Sequence, residues 1–316
     1  MLRWAGEIGL GGGSLRYALG LSPGLRLYAM TRHEMIYDSS FDVADPGPPS
    51  DNLSLYVLRS GHVWLRDPDE HIEGPALLLL TQRLIDGGHG RRTRHYVNAG
   101  SPLRVCQIAF APSAWRGESH SGDPDQVLRV DAEPGLFGAL GAAADRFQHE
   151  APGGSRAAAI EIIELLIEAE LLSAHAHPLH STGWGPGVDR IWSAFSRVLT
   201  MSPLPSLTEL GDAASRSPRQ LQRDLLQFAG TMALSSSVRW RTTMLHWRLK
   251  LAMALLSAPT SSPATVAKTL GYGSSDALTR AFLQAGLGRP AAMREALRAI
   301  AADPPGTPRA VITADR

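Results

Sequence analysis

Two segments of this chain carry the same local instructions 57 residues apart, counted from Ser217 to Ser274. In SPRQLQRDLLQFAG (217–230), Ser217 is placed to cap a helix, with Pro218 at its first position and Gln220 completing a capping box. Gly230 is expected to close it. Leu221, Leu225 and Phe228 recur at i, i+4 and i+7 as a buried stripe, while Arg219, Gln222 and Arg223 share another face. A shorter helix precedes it: Ser206 and Glu209 form a second capping box, LTELGDAA follows, and SRS breaks the run.

Downstream the pattern returns. SSPATVAKTLGYG (261–273) reads as a capped helix ending at Gly271, and SSDALTRAFLQAG (274–286) as the next, capped by Ser274. Leu278, Ala281, Phe282 and Ala285 turn inward there, leaving Asp276, Thr279 and Arg280 outward. Between the units, VRWRTTMLHWRLKLAMALL (238–256) predicts a helix with Trp240, Met244, Trp247, Leu251 and Leu255 along one side. Helix, tight turn and a second helix with a polar, basic outer face is the helix-turn-helix arrangement, whose second helix enters the DNA major groove. Nineteen helical residues extend about 28 Å. Successive major-groove faces of B-DNA lie about 34 Å apart, so such a rod could hold both second helices near successive grooves.

Charge agrees with that division. Residues 1–186 hold 15 Lys+Arg against 22 Asp+Glu, whereas residues 187–300 hold 14 against 6. An acidic half joined to a basic one points to a polyanionic partner for the second half alone, although small basic domains are common. No run of about eighteen apolar residues is present, so no membrane span is expected. The N-terminus lacks the basic-then-apolar layout of a secretion signal. Cys106 is the only cysteine, which excludes an internal disulfide and suits a reducing, cytoplasmic setting.

The first half has a different character. LRLYAMTRH, LSLYVLRSGHVWLRD, GPALLLL and LRVCQIAFAP are strand-length apolar runs or alternations, and RDPDEH (66–71) suits a hairpin tip. Short strands over 13–112 predict a small β-sandwich or barrel. A helical stretch over 135–176 follows, with GSRAAAIEIIELLIEAELLSAHA expected to start at a Ser155 cap. Its Ala159, Ile162, Leu166, Ala169 and Ser173 stripe suits either a dimer seam or packing on the barrel. The organisation expected is thus 1–176, a Gly/Pro-rich linker at 177–187, a helical domain at 188–300 and a loosely attached tail at 301–316.

The segment from about 188 to 298 resembles the DNA-binding domain of the AraC/XylS family of bacterial transcription regulators. The resemblance rests on LTELGDAASRSPRQLQRDL, RLKLAMALL from Arg248, VAKTLGYGSSDALTRAF from Val266, and Pro290 followed by Met293-Arg294. It implies an α+β chain, with an N-terminal cupin-like β-barrel or jelly roll for sensing or dimerisation and a C-terminal all-α domain of two helix-turn-helix units. It implies double-stranded DNA as partner, RNA polymerase as a further one, a small-molecule effector, a homodimer, and activation more than repression. The family's base-reading positions fall on Arg219, Gln222 and Arg223 in the first unit, and on Ser275, Asp276 and Arg280 in the second. Arg223 and Arg280 suit guanine and Gln222 suits adenine, while Asp276 fits better as a charge at a helix N-terminus. TMALSSS (231–237) departs from the family spacing as an insertion, and Leu287 stands where the family has glycine.

Two other readings of function stand beside this one: a nonspecific DNA binder, and a metal-dependent cupin enzyme. The enzyme needs converging histidines and a carboxylate, and His33, Glu34, His62, His71, His89 and His95 lack that spacing. No catalytic residue, metal or cofactor is expected. His175, His177 and His180 form an incidental cluster, GHGRRTRH (88–95) a solvated basic loop, and Cys106 an inert buried thiol.

Overall fold

The computed structural model describes residues 2–22, 24–38, 52–66, 69–81, 96–117, 127–150, 152–177, 185–198, 205–231 and 240–302. Among the described residues, the first half forms one antiparallel sheet of nine strands: β1 (Leu2–Leu10), β2 (Gly13–Ser22), β3 (Leu25–His33), β4 (Tyr37–Asp38), β5 (Leu53–Arg66), β6 (Asp69–Glu73), β7 (Ala76–Thr81), β8 (Tyr96–Phe110) and β9 (Leu128–Arg129). Its path runs β1-β2-β3-β8-β5-β7-β9, with β4 added on β8 and β6 on β5. The sheet therefore reaches beyond the expected 13–112 at both ends. β1 escaped the alternation test because Gly6 falls on the face of buried Trp4 and Ile8 and Gly9 on the other, and these missing side chains blur a period of two.

GPALLLL reads as an unbroken apolar run because both faces of β7 are covered. Leu77 and Leu79 join the cluster beneath the helices, while Leu78 and Leu80 join Tyr56, Leu58, Leu103 and Val105 on the other face. β5 and β8 are long enough to serve two sets of neighbours, because register shifts between Leu58 and His62 bend the pair. Gly61 sits in that bend with φ +93°, and a Cβ there would lie 2.6 Å from Leu103 Cδ1.

Helices α1 (Pro134–His149) and α2 (Pro152–Glu168) cover the outer face. Ala159, Ile162 and Leu166 are fully buried against α1 and the sheet, so this stripe is an internal packing face and not a dimer seam. Ser155 is not the cap expected of it. The helix begins at Pro152, a residue preorganised for a first turn, and the Ser155 hydroxyl donates to the Phe147 carbonyl at 2.7 Å.

The second half is helical: α3 (Pro186–Val198), α4 (Leu207–Ala214), α5 (Pro218–Thr231), α6 (Trp240–Ser257), α7 (Pro263–Thr269), α8 (Ser275–Gln284) and α9 (Pro290–Ala302). The chain is α+β, as its residues suggested. α3, α4 and α5 close around Val188, Ile191, Leu210, Leu221, Leu225 and Phe228. α6 to α9 close around Leu255, Val266, Leu270, Leu278, Phe282 and Met293. Gly230 does not end α5, which continues to Thr231; the TMALSSS insertion otherwise lies outside the described residues.

α6 also packs on the sheet. Trp247 lies 6.0 Å from Trp4 and 5.6 Å from Tyr17, centroid to centroid. The Ser257 hydroxyl accepts from Ile36 N at 2.8 Å, and Thr260 N donates to Gly11 O at 2.9 Å. Gly11 (φ +58°) must stay small, since a Cβ there would lie 2.6 Å from Ser261 N.

Candidate nucleic-acid interface

Each helix pair is built by the caps its sequence specifies. Glu209 N donates to Ser206 Oγ at 3.2 Å and Ser206 N to the Glu209 carboxylate at 2.6 Å, closing the capping box that starts α4. Ser215 ends α4 in a left-handed conformation, and Arg216 N returns to Gly211 O at 2.9 Å. That tight return turns the chain straight into α5. There Ser217 N donates to Gln220 Oε1 at 3.3 Å, one half of the expected box. In the second pair Ser262 and Thr265 exchange both bonds, and Ala277 N donates to Ser274 Oγ at 3.1 Å to start α8.

These starts fix which faces point outward. Leu221 and Phe228 sit in the first core and Leu278 and Phe282 in the second. The opposite faces carry Arg219 and Arg223, both exposed, with Gln222 half-buried between them. In α8, Asp276 and Arg280 are exposed and Ser275 is half-buried at the first helical position. Arg219, Arg223 and Arg280 have no ion-pair partner among the described residues. The structure thus groups the six candidates as two triplets, one per helix.

Much of the remaining basic surplus is structural, which sequence alone did not separate. Arg190 on α3 and Arg216 in the turn both approach Asp224 of α5, at 3.1 and 3.5 Å. Arg294 donates to Ser261 O at 3.1 Å and Arg298 to Pro259 O, holding the α6–α7 corner from α9. The Arg248 guanidinium lies 6.0 Å from the Tyr272 ring. Side chains that lock the heads differ from those left for a partner only in what they touch.

A cavity of about 320 Å³ lies between the sheet and α6. Tyr17, Arg26, Tyr28, Arg32 and Tyr56 line it from the strands, and Trp247, Lys250, Leu251 and Ala254 from α6. Among the described residues, its walls bring the cationic side chains Arg26, Arg32 and Lys250 and no carboxylate. The buried Tyr17 Oη and Trp247 Nε1 have no hydrogen-bond partner among the described residues, so two donors stand unmet there. Burial, reinforced by Tyr28, pushes the Tyr17 hydroxyl well above its ordinary pKa, so it stays a donor. No sequence signal marks this site, because its described residues come from six separate elements.

The other candidates separate. His62 and His71 contact each other at 3.0 Å, whereas His33 lies in a different, polar depression beside Arg16 and Asp145. His175 meets Ser173 and His177 meets Glu164, while His180, His89, His95 and the GHGRRTRH loop lie outside the described residues. Among the described residues no three His, Cys, Asp or Glu side chains group as metal ligands. Burial pushes the Cys106 thiol up to about 12, as an inert thiol requires. No described helix is long and apolar enough to cross a membrane.

No family model matches the chain, and no curated protein does. Among solved structures it is similar to ToxT from Vibrio cholerae, at 11% identity over 87% of this chain and 98% of that one, with a TM-score of 0.36. It is similar to CuxR, an AraC-like transcriptional activator, at 10% identity over 74% and 80% of the two chains, TM-score 0.31. The nucleoside dehydratase Pac13 matches 40% of this chain and 88% of its own, at 12% identity and TM-score 0.20.

Proposed function

We propose that this chain is a sequence-specific bacterial transcription regulator of the AraC/XylS type, reading duplex DNA with α5 and α8. The observation that carries this reading is the doubled helix pair, each presenting an exposed arginine opposite its buried stripe. α6, with 18 residues, spans about 27 Å, a length that suits two reading helices set near successive major grooves about 34 Å apart. Arg223 and Arg280 pair with guanine, Gln222 bridges adenine, Arg219 makes base or phosphate contacts, and the short Ser275 contacts phosphate. Asp276, in the first turn of α8, acts on the helix N-terminus. Such a protein works in the cytoplasm and activates transcription through RNA polymerase.

The cavity beside α6 is the effector site. Cationic walls and two unmet donors suit an anionic molecule with an apolar body, and binding there acts directly on the helix joining the heads. Trp247 reports it: a carboxylate ligand should quench its fluorescence, and Lys250→Ala should weaken that response several-fold. A neutral analogue binding equally well would refute the anionic assignment.

Selection of bound duplexes from a random pool, followed by salt titration, tests the main reading. Affinity for the selected duplex should exceed that for a scrambled one by about a thousandfold. Equal affinities would leave only nonspecific binding through phosphate contacts. A metal-dependent enzyme is the remaining competitor, and stoichiometric metal in the purified protein, held within residues 1–150, would favour it.

A further inference from the structure

We infer that Leu226 and Leu283 read thymine methyl groups, one in each head. The inference rests on the DNA-binding reading above and adds a readout that the polar residues do not provide. Large apolar side chains exposed among the described residues are Leu226 at 49%, Leu245 at 37% and Leu283 at 52%. A single exposed leucine needs no explanation. Two of these three, however, occupy equivalent places: each lies three residues after its helix's outward arginine, Arg223 or Arg280.

Helical geometry puts them on the reading face. Leu226 lies about 20° around α5 from Arg219 and roughly 10 Å along the axis from it. The core stripe of Leu221 and Phe228 lies on the opposite side of the helix. Leu283 stands in the same relation to Asp276 and Arg280 on α8, with Leu278 and Phe282 turned inward. Neither leucine can join a core without rotating its helix and burying an arginine.

A face that must enter the major groove meets one apolar group on base-pair edges, the thymine 5-methyl. In α8 this readout carries extra weight, because the Thr279 hydroxyl already donates to the Ser275 carbonyl at 3.0 Å. Arg280 and Leu283 are then the outward side chains of that head suited to a guanine and a thymine respectively.

The test uses the full chain and the duplex it selects from a random pool, with each thymine replaced in turn by uracil. Uracil keeps every hydrogen-bonding group and loses only the methyl. Wild-type affinity should fall about fourfold at one thymine per head, the worth of one buried methyl. Leu226→Ala should become indifferent to uracil at one of these positions and Leu283→Ala at the other, with unfolding midpoints unchanged. Variants that keep the wild-type uracil profile, or a selected duplex without a responsive thymine, would overturn the inference alone. A pool yielding no enriched sequence overturns the DNA-binding reading, and this inference with it.

Discussion

Asp224→Ala separates positioning from charge in the first head. The Asp224 carboxylate is 14% exposed and meets Arg190 Nε at 3.1 Å and Arg216 Nε at 3.5 Å, so it joins α3, the α4–α5 turn and α5. Exposed ion pairs contribute about 0.2–1 kcal/mol, whereas breaking a buried one costs about 3–5 kcal/mol. With both guanidiniums about a third exposed, an intermediate cost of about 2 kcal/mol follows for losing both contacts. That raises the opening equilibrium of the first head roughly thirtyfold. Amide hydrogen exchange in α4 and α5 should accelerate by that factor, while α8 stays unchanged. On charge alone, removing a carboxylate near a polyanion should tighten DNA binding. Positioning predicts the reverse for the selected duplex: weaker specific binding, with nonspecific binding equal or tighter. Unchanged exchange in α4 and α5, or specific and nonspecific affinity rising together, would refute the clamp.

Other expectations follow from the same structure. Arg223→Ala and Arg280→Ala should each cost about 1–3 kcal/mol on the selected duplex and relax preference at one base pair, read by titrating single-base variants. Phe282, fully buried among α6, α8 and α9, should cost about 3–5 kcal/mol on Phe282→Ala, measured by denaturant unfolding. Hydrogen bonds from Arg59 at 2.6 and 2.7 Å hold the Asp145 carboxyl below its usual range. A depressed folded pKa contributes stability above pH about 4 that is lost on acidification; at 42% exposure it is worth about 1 kcal/mol, and Asp145→Asn should flatten that acid limb. With its thiol pushed up to about 12, Cys106 should resist thiol reagents at neutral pH until the chain unfolds.

The helical half was the more legible one because its instructions are local. A serine followed three residues later by glutamate or threonine, a proline at the first position and apolar residues at helical spacing act within one or two turns. Ser206 and Ser274 accordingly cap the helices expected of them, and Ser262 supplies the cap of the helix expected within 261–273. Local signals failed at two positions, and at the first a distant contact competed. Ser155 looks like a cap in isolation, yet its hydroxyl is taken by Phe147 O of the neighbouring helix. Gly230 looks like a terminator, yet α5 continues through it to Thr231.

The sequence by itself determined the helix pairs, their buried stripes and therefore the outward placing of Arg219, Arg223, Asp276 and Arg280. It also separated an acidic strand-rich half from a basic helical one. Only the tertiary structure decided which arginines are committed internally, because Arg190 and Asp224 are 34 residues apart and Arg298 and Pro259 are 39 apart. It alone decided that the α2 stripe faces the sheet, and that Tyr17, Trp247 and Lys250 wall one cavity. The physical reason is range. Caps and periodicity are read within a few residues, whereas ion-pair partners and cavity walls depend on how separate elements come to rest against one another.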